Sequence, residues 1–218
     1  MTFRPTDIYE SIHWNMIQAH KTFERGYDVI ASHLDSPPKD DLYNFLGYCD
    51  AWASSIEQHH DAEEATMFPV LRQKMDISLE EEQHTILHEF LLRFIEVTRR
   101  GQKDPPSFDA AVAKRMLEEA KENLFAHLED EVNHLEADKL RAAGFEEEEL
   151  RMMIRELVQY SKTHGNKYII LPYMRCHTPP EYKASYPGLP WFVSNVITPW
   201  FLAPWYSGYW KYAPYSIS

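Results

Sequence analysis

The chain has 218 residues, enough to bury a core without disulfide support, and 44% hydrophobic with 26% charged residues excludes wholesale disorder. Its formal net charge of −12 repels phosphate backbones and argues against a nucleic-acid partner. Cys49 and Cys176 are too few for a secreted disulfide framework, and the opening stretch from Met1 to Asp7 has no apolar signal core, so a cytoplasmic, intracellular protein is expected.

A first helix is predicted from a cap at Thr6 or Asp7 to about His33, ended by Ser36-Pro37-Pro38. The second begins near Asp40 and runs to Phe68, stopped by Pro69. The third opens at Ser78, where Ser78-Leu79-Glu80-Glu81 has the spacing of a capping box, and ends at Gly101. Pro105-Pro106-Ser107 starts the fourth, expected to reach Gly144. A fifth, over 146–164, starts with Glu146 to Glu149 and carries an apolar face of Leu150, Met153, Ile154, Leu157 and Val158. Four long helices joined by short breaks predict an all-α, up-down-up-down four-helix bundle over residues 1–144. Residues 145–218 then add the fifth helix and an irregular aromatic and proline-rich extension.

That extension differs in composition from everything before it. Residues 1–165 have a net charge of −15, whereas residues 166–218 have +3 and hold 8 of the 14 prolines and 14 of the 30 aromatics. A basic aromatic tail beside an acidic body is expected to lie down on it and bury its rings, among them Trp191, Trp200, Trp205 and Trp210. The uncharged run from Ala184 to Trp210 is interrupted by Pro187, Pro190, Pro199 and Pro204, which excludes a transmembrane helix.

In a bundle the core positions recur at spacings of three and four. The second helix gives Leu42, Phe45, Cys49, Trp52 and Ile56, then His59 and Glu63, then Thr66. The third gives His84, His88, Leu91, Ile95 and Thr98. The fourth gives Val112, Met116, Ala120 and Leu124, then His127 and Glu131. The first gives Ile12, Met16, His20, Phe23, Tyr27 and Ile30. Each stripe therefore turns from apolar to ligand-like without losing its period, and antiparallel helices bring those turns to one level. A lone buried histidine is usually a hydrogen-bonded structural residue, but seven inward ligands on four helices are a different pattern. Burying Glu63 and Glu131 unpaired costs several kcal/mol each, which two divalent cations offset. Mixed imidazole and carboxylate donors suit iron, with zinc or manganese as substitutes.

The set His20, His59-His60-Asp61-Ala62-Glu63-Glu64 with trailing Phe68-Pro69, His84 and His88, and His127 and Glu131 resembles the hemerythrin/HHE cation-binding family over roughly residues 8–140. The motif order and the ending Trp210-Lys211-Tyr212-Ala213-Pro214 are similar to fungal hemerythrin-like members of unassigned role. The resemblance implies a non-haem di-iron centre of two oxo- or hydroxo-bridged Fe ions. His84, His88 and His127 would hold one iron, His20 and His59 the other, and Glu63 and Glu131 would bridge them, leaving a position open for dioxygen. The last carboxylate lies four residues after its histidine, whereas the invertebrate oxygen carriers have five, a place filled here by Val132. Reversible oxygen carriage is therefore not implied by the resemblance.

Off the stripes, His60, Asp61, Glu64 and Glu129 are expected to be solvated or to support ligands from outside, with Glu64 or Asp130 orienting imidazole rings. His13 and His134 each lie seven residues beyond a ligand and are read first as two partly exposed histidines, with an approach to one another or to a shared water at one end of the bundle as the alternative. The functional expectation is a protein that binds dioxygen. The alternatives are an oxidoreductase acting on a small organic substrate, as in fungal secondary metabolism, and an iron or oxygen sensor or store. Neutral imidazoles outnumbering carboxylates favour the first, and the aromatic cover favours the second.

Overall fold

The computed structural model describes residues 3–217 and is all-helical, with no strand among them. Its α-helices are α1 (Ile8–Leu34), α2 (Leu42–Thr66), α3 (Phe68–Leu71), α4 (Ser78–Lys103), α5 (Ala110–His134), α6 (Ala137–Ala142), α7 (Glu147–His164) and α8 (Lys167–His177). A π-helical segment, Val193–Leu202, and two 3-10 turns follow. Helices α1, α2, α4 and α5 close a ring in which each touches the next.

Local chemistry sets the helix ends. The Asp7 carboxylate accepts from the Glu10 amide and caps α1, as expected. Asp109 caps α5 through the amides of Ala111 and Val112. A Glu146–Glu149 capping box starts α7. The box expected at Ser78 does not form. Ser78 is already helical, and its amide and hydroxyl both donate to Asp76. Pro69 does not stop the second helix either. The chain turns at Met67 and restarts as α3, whose opening turn tolerates a proline.

The fourth helix ends at His134 rather than Gly144. A straight rod would carry Leu135, Leu140 and Phe145 past the end of the bundle into water. The break after His134 folds all three beneath it, with Gly144 supplying a left-handed residue at φ 78°. In the first half of this helix the buried side chains are Ala113 and Leu117, one position on from the predicted Val112 and Met116. The two patterns agree from Ala120 onward.

Apolar packing divides into two bodies with a polar band between them. The larger contains Phe23, Ile30, Phe45, Trp52, Ile56 and Leu91 among others, and the smaller Ile12, Met16, Phe68, Leu71, Leu135 and Leu140. On α1 the band falls between Met16 and Phe23, on α2 between Ile56 and Met67, on α4 between Ile77 and Leu87, and on α5 between Leu124 and Leu135. The order reverses from helix to helix, as an antiparallel ring requires.

The C-terminal part is more regular than its prolines suggest. Helix α8 lies against α1 and α2. Its Tyr173 hydroxyl donates to the Thr22 carbonyl at 2.8 Å, and the Tyr48 hydroxyl meets His177 Nε2 at 2.7 Å. Tyr209 lies so close to α2 that a Cβ on Gly47 would come within 2.1 Å of its ring. Rings and hydrogen bonds, more than charge, hold the tail: Arg175 donates to Ile217, Lys183 and Asn195 of the tail itself, while Lys211 pairs with Asp41. On α7, Leu150 and Met153 are buried, whereas Val158 is exposed.

Candidate metal centre

The polar band is built from side chains that the two apolar bodies hold in place. His20, Glu63, His84, His127 and Glu131 are all at most 2% exposed, and Phe23 and Phe68 pack against His59 and His84. His20 Nε2 lies 3.2 Å from Glu131 Oε2 and 3.3 Å from His59 Nε2, and His59 Nε2 lies 3.1 Å from Glu63 Oε1. His127 Nε2 is 3.8 Å from Glu131 Oε2, and His84 Nε2 is 4.0 Å from Glu63 Oε2. Two donor triads, His20–His127–Glu131 and His59–Glu63–Glu131, share Glu131. A third joins His60, His84 and His88.

Outward-facing partners explain which ring nitrogens point in. His20 Nδ1 donates to the Leu128 carbonyl at 2.8 Å, His84 Nδ1 to Glu64 at 2.9 Å, and His88 Nδ1 to Glu57 at 2.7 Å. His127 Nδ1 meets Gln83 Oε1 at 3.3 Å, and the Gln83 amide donates to Asp130. For His84 and His127 the bond at Nδ1 fixes a tautomer that leaves Nε2 as a lone-pair donor, whereas His88 is held at both nitrogens, by Glu57 and Glu64. Glu64 thus orients rings as its sequence position suggests, and Asp130 acts through Gln83. Sequence spacing gave no sign of Gln83 or Glu57.

Of the two roles expected for His60, burial excludes the solvated one and leaves the supporting one. His60 lies beside the inward stripe yet is fully buried, its ring stacked on His84 at 4.0 Å between centroids. Helix α2 is covered nearly all round, by α1 and α4 and also by α7, α8 and the tail, so its off-stripe positions are interior too. The signal was legible in the helix's small and apolar residues on every side, including Gly47, Ala51, Ala53 and Ala62. His60 nevertheless differs from the other imidazoles, because neither of its nitrogens has an acceptor.

His88 sits at the rim, with Nε2 held by Glu64 at 2.9 Å. His13 and His134 are both half-buried, as first read, and His134 Nδ1 bonds Glu80 of α4 at 2.6 Å.

The electrostatics describe a site built for cations. Burial, and then the neighbouring Glu131, raise the Glu63 carboxyl well above the usual range. Burial would raise Glu131 as well, but the adjacent imidazoles of His20, His127 and His59 hold it at about 2. Burial lowers His59 and His127 to about 3, whereas the bond to Glu57 raises His88 to about 9. Both oxygens of Glu63, both of Glu131, and Nε2 of His84 and His127 are buried without a hydrogen-bond partner. Unpaired buried polar atoms are rare, and six converging on one spot fit a metal cation.

The hemerythrin HHE cation-binding domain matches residues 11–138, and the chain belongs to that family. The chain is similar to the dimeric xanthone biosynthesis cluster protein R11 of Cryptosporiopsis sp. (strain 8999), at 24% identity over 210 residues, covering 92% of this chain and 77% of that protein. No solved structure matches it significantly.

Proposed function

We propose that the centre holds two iron ions and binds dioxygen. The observation that carries this reading is the convergence of six unpartnered buried donor atoms from Glu63, His84, His127 and Glu131. The proposed ligands are His20, His59, Glu63, His84, His88, His127 and Glu131, with Glu131, the member common to two triads, best placed to bridge. For His88 to serve, Nε2 must exchange Glu64 for metal while Nδ1 keeps Glu57, the arrangement usual for a ligating histidine. His60 lacks the outer acceptor that holds a ligating ring, and its stacking on His84 supports a packing role, although its bare nitrogens and its place in the triad with His84 and His88 make it the competing ligand there.

Iron held here would supply electron transfer to dioxygen, which no side chain of the chain can provide. The protein's own contribution is to fix tautomers through Leu128, Glu64, Glu57 and Gln83, and to keep water out with Phe23 and Phe68.

An oxidoreductase acting on a small organic compound is the second reading, and two observations favour it. A groove of about 740 Å³ between α1 and α5 reaches His20, wide enough for more than a diatomic. The similar fungal protein is named for a biosynthesis cluster. The groove is lined by α1 and α5, including Ile17, Phe125 and Val132, so the aromatic tail does not wall it.

Metal analysis followed by stopped-flow absorption of the reduced, iron-loaded protein with dioxygen tests both readings. About two irons per chain and a spectral change that reverses on evacuation support binding. Decay accelerated by an added small organic compound supports the oxidoreductase. A chain that takes up no metal overturns both.

A further inference from the structure

The tail buries only part of its aromatic surface. Trp191, Phe192, Val196, Trp200, Phe201 and Trp205 are exposed, the three tryptophans by 72–73%. Between Val193 and Leu202 the backbone is π-helical, so residues four or five apart lie above one another. Positions 191 and 192, 196, and 200 and 201 therefore form one face, while Ser194, Thr198 and Leu202 point inward and are buried. A contiguous apolar patch of this kind marks an interaction site.

We propose that this face docks on a phospholipid bilayer surface. Four observations favour a bilayer over a protein partner. No charged side chain occurs from Ala184 to Trp210, so the patch has no ion pair with which to fix a protein partner in register. Two of the five residues on this face, Trp191 and Trp200, are tryptophan, the residue suited to the boundary between acyl chains and headgroups. The indole N–H groups of Trp52 and Trp210 donate to the carbonyls of Phe23 and Ala203, whereas those of the exposed Trp191 and Trp200 have no acceptor among the described residues and are open to headgroup oxygens. Lastly, residues 1–165 carry −15 whereas the aromatic face carries no charge, so an anionic surface repels the body more than the face, which orients the molecule. The contact is interfacial, since no helix among the described residues is long and apolar enough to cross a membrane.

The test is co-sedimentation of the full chain with vesicles of equal parts phosphatidylcholine and phosphatidylserine, together with tryptophan emission. The chain is expected to pellet with the vesicles and its emission to shift to the blue. The double variant Trp200→Glu/Phe201→Glu is expected to lose at least about tenfold in partition, since each ring removes apolar area from the contact. Its far-UV circular dichroism and metal content stay unchanged because both rings are exposed. Trp191→Glu, at the other end of the face, gives the same readout should the double variant misfold. A chain that stays in the supernatant overturns the proposal, as does equal partition of the variants. A dimer that the same substitutions dissolve, without any change in vesicle binding, would make a second copy the occupant instead.

Discussion

Two groups of buried histidine in this molecule are equally inaccessible and chemically opposite. In the tail, His177 is fully buried with both ring nitrogens satisfied, Nδ1 by the Tyr173 carbonyl at 2.8 Å and Nε2 by the Tyr48 hydroxyl at 2.7 Å. In the polar band, Nδ1 of His84 and of His127 is satisfied in the same way, but Nε2 is left without a partner and faces carboxylates that also lack one. Burial alone does not separate a structural imidazole from a ligand. What sets His84 and His127 apart from His177 is that their second nitrogen has no protein partner, and leaving it bare costs about 1–3 kcal/mol unless something else binds there.

The strongest way to break this contrast is to remove a carboxylate. Glu131→Ala and Glu63→Ala are expected to abolish metal binding, measured by elemental analysis of purified protein. In the metal-free state Glu63→Gln is expected to raise stability in chemical denaturation, since it removes one of two facing buried carboxyls. Retained metal in the alanine variants would end the distinction between the two groups.

Next in size are the outer partners. Gln83→Ala, which frees His127 Nδ1, is expected to weaken metal affinity by about 10–100-fold in a chelator competition while leaving the fold intact.

His60 sharpens the contrast from the other side. His60→Ala is expected to keep most of its metal yet lose about 2–3 kcal/mol of stability by cavity formation beside His84, whereas His59→Ala loses its metal. Equal metal loss in the two would show that His60 is a ligand after all.

The smallest expected effect belongs to the tail. Burial lowers His177 from 6.5 to about 3. As pH falls, the unfolded chain takes up this proton first, so the stabilisation is complete above 6.5 and is lost progressively toward 3. By about pH 5 it amounts to roughly 2 kcal/mol. His177→Phe is expected to flatten that part of the acid-denaturation curve, and an unchanged slope would show that His177 does not control it.

Much of this was readable in the chain itself. The rhythm of three and four carried His20, Glu63, His84, His127 and Glu131 onto buried stripes because it depends only on helical geometry, and Asp7 and Glu146 set helix starts through contacts spanning three residues. Ser78 failed as a cap for an equally local reason, since Asp76 two residues earlier took up its hydroxyl. The open points and departures with distant causes were of another kind. For His60 a solvated position was left open beside a supporting one because a stripe argument assumes one solvent face, and α2 has none once α7, α8 and the tail cover it. The turn after His134 came from the need to fold Leu135, Leu140 and Phe145 under the bundle.

Residue order thus determined the helices, their inward faces and the burial of His20, Glu63, His84, His127 and Glu131, all of which follow from periodicity along one chain. Only the tertiary structure decided which nitrogens are held from outside, that Gln83 and Glu57 do part of the holding, and which tail aromatics stay in water. Those outcomes depend on contacts between residues such as His20 and Leu128, or Tyr48 and His177, more than a hundred positions apart. A hydrogen-bond partner at that separation leaves no local pattern to read.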